Sequence, residues 1–172
     1  MKSRVRLVTG VALVFGSLVA GTAGVAIAKS HHNGDVLRAD TLFPVAPPFT
    51  GNAAAAIRGV TGAGAPWVIA DSDVRLRADG RLKVEIEGLV IDPALAPNPN
   101  AGINPAPLMR AVVSCATADP AAPMNVSSEP FDVDRAGNGE LDTTIMLPSP
   151  CVAPIIFVVN NGSGSWFAVT GV

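Results

Sequence analysis

Hydrophobic and polar residues alternate most clearly between Asp73 and Ile91. Val74 and Leu76 alternate with Arg75 and Arg77; Leu82, Val84 and Ile86 alternate with Arg81, Lys83, Glu85 and Glu87. A period of two with one charged face marks a half-buried antiparallel strand pair. Asp79-Gly80 supplies the turn, and side-chain parity fixes its length. A two-residue turn at 79–80 sets Arg77 opposite Leu82 and throws the two apolar sets onto opposite faces. A three-residue loop, Ala78-Asp79-Gly80, pairs Leu76 with Leu82 and Val74 with Val84 and gives Gly80 the left-handed position. The second register is the one expected, with Arg77 across from Arg81 at the open surface.

Further strands are expected along the chain. Arg110–Ala116 is apolar and β-branched. Ser128–Val133 contains Pro130, which suits an edge. Glu140–Leu147 alternates again, and Ile155–Val159 is a continuous apolar run that suits a strand covered on both faces. Asn161-Gly162-Ser163-Gly164 turns the chain into Trp166–Val172. No stretch reads as a long amphipathic helix, and the Ala-rich 53–56 is too short to hold one alone. The expectation is an all-β fold: a single antiparallel β-sandwich of about seven or eight strands, Ig-like in architecture, over residues 53–172. Five prolines between Asp92 and Leu108 mark a long loop, either functional or mobile. Residues 29–52 show no sustained period and read as a flexible tether, with Phe43, Val45 and Phe49 as the side chains able to pin it to the domain.

The first 28 residues read differently. Lys2, Arg4 and Arg6 precede an uncharged stretch from Leu7 to Ala28 that ends in Ala26-Ile27-Ala28, the small-x-small site of a signal peptide. Cleavage after Ala28 is expected; the alternative is an uncleaved anchor, because a span takes about 20 apolar residues. Export sets the reading of Cys115 and Cys151, the only two cysteines. An even pair in an oxidising compartment forms one disulfide, closing a loop of about 37 residues. Neither cysteine has the spacing or the neighbouring His of a metal ligand or catalytic thiol.

Composition then removes functions. The formal net charge of −2 supplies no basic surface for nucleic acid. Both histidines, His31 and His32, precede the domain, so no imidazole is held in it for a Ser–His–Asp or Cys–His arrangement or for a catalytic zinc. Lys83 is the only lysine of the domain and lies on a charged strand face. No glycine-rich phosphate loop leads into a helix. Paired carboxylates of the glycosidase kind remain, but most alternate with apolar residues, as on a solvated sheet face.

Three sharper possibilities stand beside plainer ones. Cleavage after Ala28 leaves Lys29-Ser30-His31, whose amine, two amides and imidazole can wrap a square-planar Cu(II), with His32 as a weaker fifth contact; the plainer reading is a polar spacer. Asp132, Asp134, Asn138 and Glu140 are candidate ligands for Ca²⁺. Ala136 and Thr143 stand where an EF-hand needs oxygen ligands, so the plainer reading is a turn. Trp67 and Trp166 are able to stack on a ligand if exposed, and are core residues otherwise.

The strings Arg110-Ala-Val-Val-Ser-Cys115, Leu147-Pro-Ser-Pro-Cys151-Val-Ala-Pro154 and Trp166-Phe-Ala-Val-Thr-Gly171, with Gly59-Val60 and Pro66-Trp67, resemble small exported bacterial proteins of uncharacterised function. The resemblance spans Ile57 to Val172 and implies export; it brings no catalytic residue with it. The functional expectation is an exported, non-enzymatic, disulfide-bonded module without a cofactor. It meets a protein or cell-envelope partner, not nucleic acid, and a membrane only if the leader is uncleaved. A ligand- or metal-binding protein and a small extracellular hydrolase are the alternatives.

Overall fold

A computed structural model describes residues 34–117, 119 and 122–171. Among them the chain forms twelve strands: β1 (Asp35–Ala39), β2 (Phe43–Pro44), β3 (Trp67–Val68), β4 (Asp71–Arg77), β5 (Arg81–Glu87), β6 (Val90–Ile91), β7 (Leu108–Ala116), β8 (Met124–Ser127), β9 (Phe131–Asp132), β10 (Gly139–Thr144), β11 (Val152–Asn160) and β12 (Trp166–Val169). One sheet has the order β1-β4-β5-β10. The second has the order β2-β12-β11-β7-β8, with β9 also on β7, and β3 pairs with β6 alone. Every ladder between named strands is antiparallel. The fold is the expected all-β antiparallel sandwich, and one apolar cluster joins residues of both larger sheets.

The hairpin takes the register that parity requires. Val74 pairs with Val84 and Leu76 with Leu82, and all four are fully buried. Gly80 stands at φ +86°, its N–H donates to the Arg77 carbonyl at 3.0 Å, and the Arg81 N–H donates to Asp79 Oδ1 at 3.1 Å. An added Cβ at Gly80 would lie 2.1 Å from the Ile145 carbonyl oxygen, so the turn needs glycine for space as well as for backbone freedom.

In the second sheet, Ile155–Val159 of β11 are all buried, as a two-sided apolar run requires. Pro130 divides the strand expected over 128–133. β8 ends before it and β9 resumes after it, because proline has no N–H to offer β7. Ser128 closes the gap: its N–H donates to the Ala111 carbonyl at 2.8 Å, and its Oγ accepts from the Ala111 N–H at 3.0 Å. β10 stops at Thr144, three residues short of the expected Leu147, as the chain turns toward Pro148 and Pro150.

The tether expected over 29–52 is corrected from Asp35 onward. β1 pairs with β4, β2 pairs with β12, and Leu42 and Val45 are fully buried. The buried Leu42 N–H donates to Ser72 Oγ at 2.7 Å. The segment escapes the alternation test because β1 is an edge strand with a bulge and mostly exposed side chains. The proline-rich loop 92–108 is tied down as well. Asn104, 5% exposed, donates through Nδ2 to the Ala106 and Asp134 carbonyls and accepts from the Ala106 N–H. The signal peptide expected over 1–28 lies outside the described residues.

Candidate functional site

The outward positions of β4 read Asp71, Asp73, Arg75, Arg77, and those of β5 read Arg81, Lys83, Glu85, Glu87. The register sets Asp71 beside Glu87, Asp73 beside Glu85 and Arg75 beside Lys83. β10 adds Glu140 beside Glu85 and Asp142 beside Lys83, and β1 adds Arg38 beside Arg75. Charge on the two central strands, β4 and β5, is therefore sorted along their length. One end is a hollow of about 610 Å³ whose ionisable lining is acidic: Asp71, Asp73, Glu85, Glu87 and Glu140. The other is a hollow of about 220 Å³ lined by Arg75, Arg77, Arg81, Lys83 and Asp142.

Ion pairs relieve only part of this crowding. Lys83 Nζ lies 2.5 Å from Glu85 Oε1 and 3.6 Å from Glu140 Oε1. The hydrogen bond to Glu85 above all, with the charges of both glutamates, holds the Lys83 pKa above its ordinary value. Arg75 reaches Asp35 at 3.6 Å and Arg81 reaches Asp142 at 3.8 Å. Among the described residues, no basic side chain stands within 4 Å of the Asp71, Asp73 or Glu87 carboxylates. Like charges directly opposite on neighbouring strands destabilise a sheet. The hollow does not suit a glycosidase acid, which needs a carboxyl buried among apolar groups; Asp71, Glu87 and Glu140 are exposed and Asp73 and Glu85 half-buried.

Of the four candidate Ca²⁺ ligands, Asp134 and Asn138 hold a turn. Asp134 accepts from the Asn138 N–H at 2.8 Å and from Asn138 Nδ2 at 3.1 Å, and Asn138 Oδ1 accepts from the Gly88 N–H at 3.1 Å. Asp132 lies on β9, and Glu140 faces Lys83. The described residues contain no group of three or more His, Cys, Asp or Glu side chains placed to hold a metal. The Asn138 N–H foremost holds the Asp134 carboxyl below the ordinary carboxylate range. A lowered pKa stabilises the fold fully above the unfolded value and loses that contribution as pH falls through the folded one. Asp134→Asn is therefore expected to flatten the loss of melting temperature below about pH 4, measured by thermal melts across that range; an unchanged acid slope counts against it.

His31 and His32, with the proposed Cu(II) site, lie outside the described residues. Trp67 and Trp166 are 4% and 2% exposed and belong to the apolar core, although Trp166 also forms part of the wall of a hollow of about 410 Å³. Trp67 packs on Phe167 at 4.1 Å between ring centroids, and Trp166 packs against Phe49 and Phe157. Cys115 and Cys151 form the expected disulfide. No helix among the described residues is long and apolar enough to cross a membrane. Comparison of the chain with protein-family models, curated proteins and solved structures gives no match.

The charge-sorted face was not singled out from sequence, although its signal is there. The outward residues of the hairpin, read in order, are two acids, two bases, two bases and two acids. Alternation shows that these positions share a face; only the register shows that equal charges stand side by side.

Proposed function

We propose that the protein is an exported, non-enzymatic β-sandwich that acts at the cell surface or outside the cell as an interaction module. Its contact surface is the charge-sorted face of the β1-β4-β5-β10 sheet. The observation that carries this reading is the acidic pairing of Asp71 with Glu87, which no basic side chain relieves, beside that of Asp73 with Glu85, which Lys83 relieves only in part. A sheet selected for stability alone would alternate the signs.

Export rests on the leader pattern, on the disulfide, which persists in oxidising compartments, and on the resemblance to small exported bacterial proteins. The absence of an enzymatic role rests on the histidine-free domain and on Lys83, held at the surface between Glu85 and Glu140. The Ig-like architecture draws support from strand order: β4-β5-β10 opposite β12-β11-β7-β8 follows A-B-E opposite G-F-C-C′ of that fold.

The test of the face is a substitution that relieves it. Glu87→Lys sets opposite charges across from one another at Asp71 and is expected to stabilise the fold by about 0.5 kcal/mol, read from urea unfolding. A loss of stability would show that the acidic pairing is not strained and would remove the reason for assigning the face a role. Export is tested by the intact mass of the native protein, which is expected to begin at Lys29.

A further inference from the structure

We infer that the occupant of this face is a second copy of the same chain, docked face to face about a two-fold axis that crosses the strands. The inference rests on the face being the contact surface, and it adds the partner. On β4 the outward order is acid, acid, base, base, and on β5, read alongside, it is the same. Both patterns invert sign about one line, which passes over the paired Val74 and Val84. A half-turn about that line lays Asp73 of one copy over Arg75 of the other and Glu85 over Lys83. It likewise lays Asp71 over Arg77 and Glu87 over Arg81. Every charge on the two central strands then meets its opposite. At the β1 edge, Arg38 lies beside Arg75 and keeps to the rule, whereas Asp35 lies beside Arg77 at the basic end and breaks it. A two-fold contact requires such self-complementarity of one patch.

Other occupants fit less well. The centres of the acidic and basic halves are about 14 Å apart by strand rise, beyond the screening length of about 8 Å at physiological salt. A partner of one sign therefore gains at one half and is repelled at the other. The occupant must carry both signs at this spacing in reversed order, and the face itself does. Four strands at about 4.8 Å spacing, five to seven residues long, present at most about 450 Å² per copy. That is below the roughly 800 Å² per partner of stable complexes, so the dimer is reversible and salt-sensitive. β10 is a further exception to the symmetry. Glu140 and Asp142 are both acidic and would meet each other across the axis, although within their own copy they lie against Lys83 and Arg81.

Sedimentation velocity of the purified disulfide-bonded protein tests this. Self-association is expected at about 20 mM salt and is expected to weaken at least tenfold at about 500 mM. Arg75→Glu with Lys83→Glu makes the central face acidic and is expected to leave a monomer. The fourfold exchange Asp73→Arg, Arg75→Asp, Lys83→Glu and Glu85→Lys inverts the inner pairs. These still complement one another across the axis, so this variant is expected to associate again to a measurable extent. No other fixed partner would tolerate that inversion. Glu140→Gln with Asp142→Asn is expected to tighten the dimer, whereas binding of a basic ligand would weaken. Unfolding curves of each variant show that it is folded. A wild-type protein that stays monomeric at 20 mM salt overturns the inference, as does self-association that survives the acidic variant. If Glu87→Lys nonetheless stabilises the fold, the face stands as a contact surface and only the second copy falls; if it does not, both fall.

Discussion

Reduction of the Cys115–Cys151 bridge is expected to lower stability by about 3–4 kcal/mol and the melting temperature by about 10–15 °C. The two cysteines do not join the two sheets. Cys115 lies near the end of β7 and Cys151 immediately before β11, and these strands are neighbours in one sheet. At this point the β7–β11 ladder is irregular, with a register shift between Val152 and Ile155. The bridge therefore holds a place where hydrogen bonding is weak. It also closes a 36-residue separation that contains β8, β9 and β10. In the unfolded chain that loop is free to expand, and cross-linking it removes conformational entropy that grows with loop length. Cys115 is fully buried, so Ser there would hide an unpaired hydroxyl and confuse the comparison. Urea unfolding of oxidised and reduced wild-type protein is the clean measurement. Coincident midpoints would show that packing of β7 on β11 holds the loop unaided.

Legibility in the sequence followed burial. Where a strand has one buried face, the pattern is complete, and the β4–β5 hairpin was readable down to its loop because parity leaves one register. Where a strand lies at an edge, little of its surface is buried and no period appears; β1 and β2 were hidden for that reason, although Leu42 and Val45 beside them are core residues. Trp67 and Val90–Ile91 form a ladder too short for any periodicity to register. The acidic residues near the β9–β10 turn were ambiguous for a different reason. Asp and Asn suit both a cation and a tight turn, and the turn itself appears only in the hydrogen bonds from Asn138 to Asp134. The sorted face needed cross-strand neighbours, which a list of alternating positions does not contain.

The turn beneath that face is also where a single methyl group is expected to do heavy damage. Gly137→Ala is expected to cost about 3–4 kcal/mol. Gly137 stands at φ +86°, a region that costs an alanine about 1–2 kcal/mol. Space adds the rest. A Cβ there would lie 2.4 Å from the Leu89 nitrogen and 2.5 Å from the Leu89 oxygen, both backbone atoms that cannot rotate away. The turn is held on that backbone: the Leu89 N–H donates to the Gly137 carbonyl at 3.0 Å, and Asn138 accepts from the Gly88 N–H. Relief of the clash must lift the turn, break both hydrogen bonds and disturb Leu89, which is fully buried. Gly102→Ala separates the two causes. Gly102 also has a positive φ, +76°, but the nearest atoms to its added Cβ are those of the Pro93 ring, at 3.9 Å and beyond. Its cost is expected to stay near the backbone strain alone, about 1–2 kcal/mol. Equal losses for the two variants in urea unfolding would refute the clash. A larger loss at Gly137 would tie the acidic hollow, lined by Asn138 and Gly139, to the packing of one turn against the bend that follows β5.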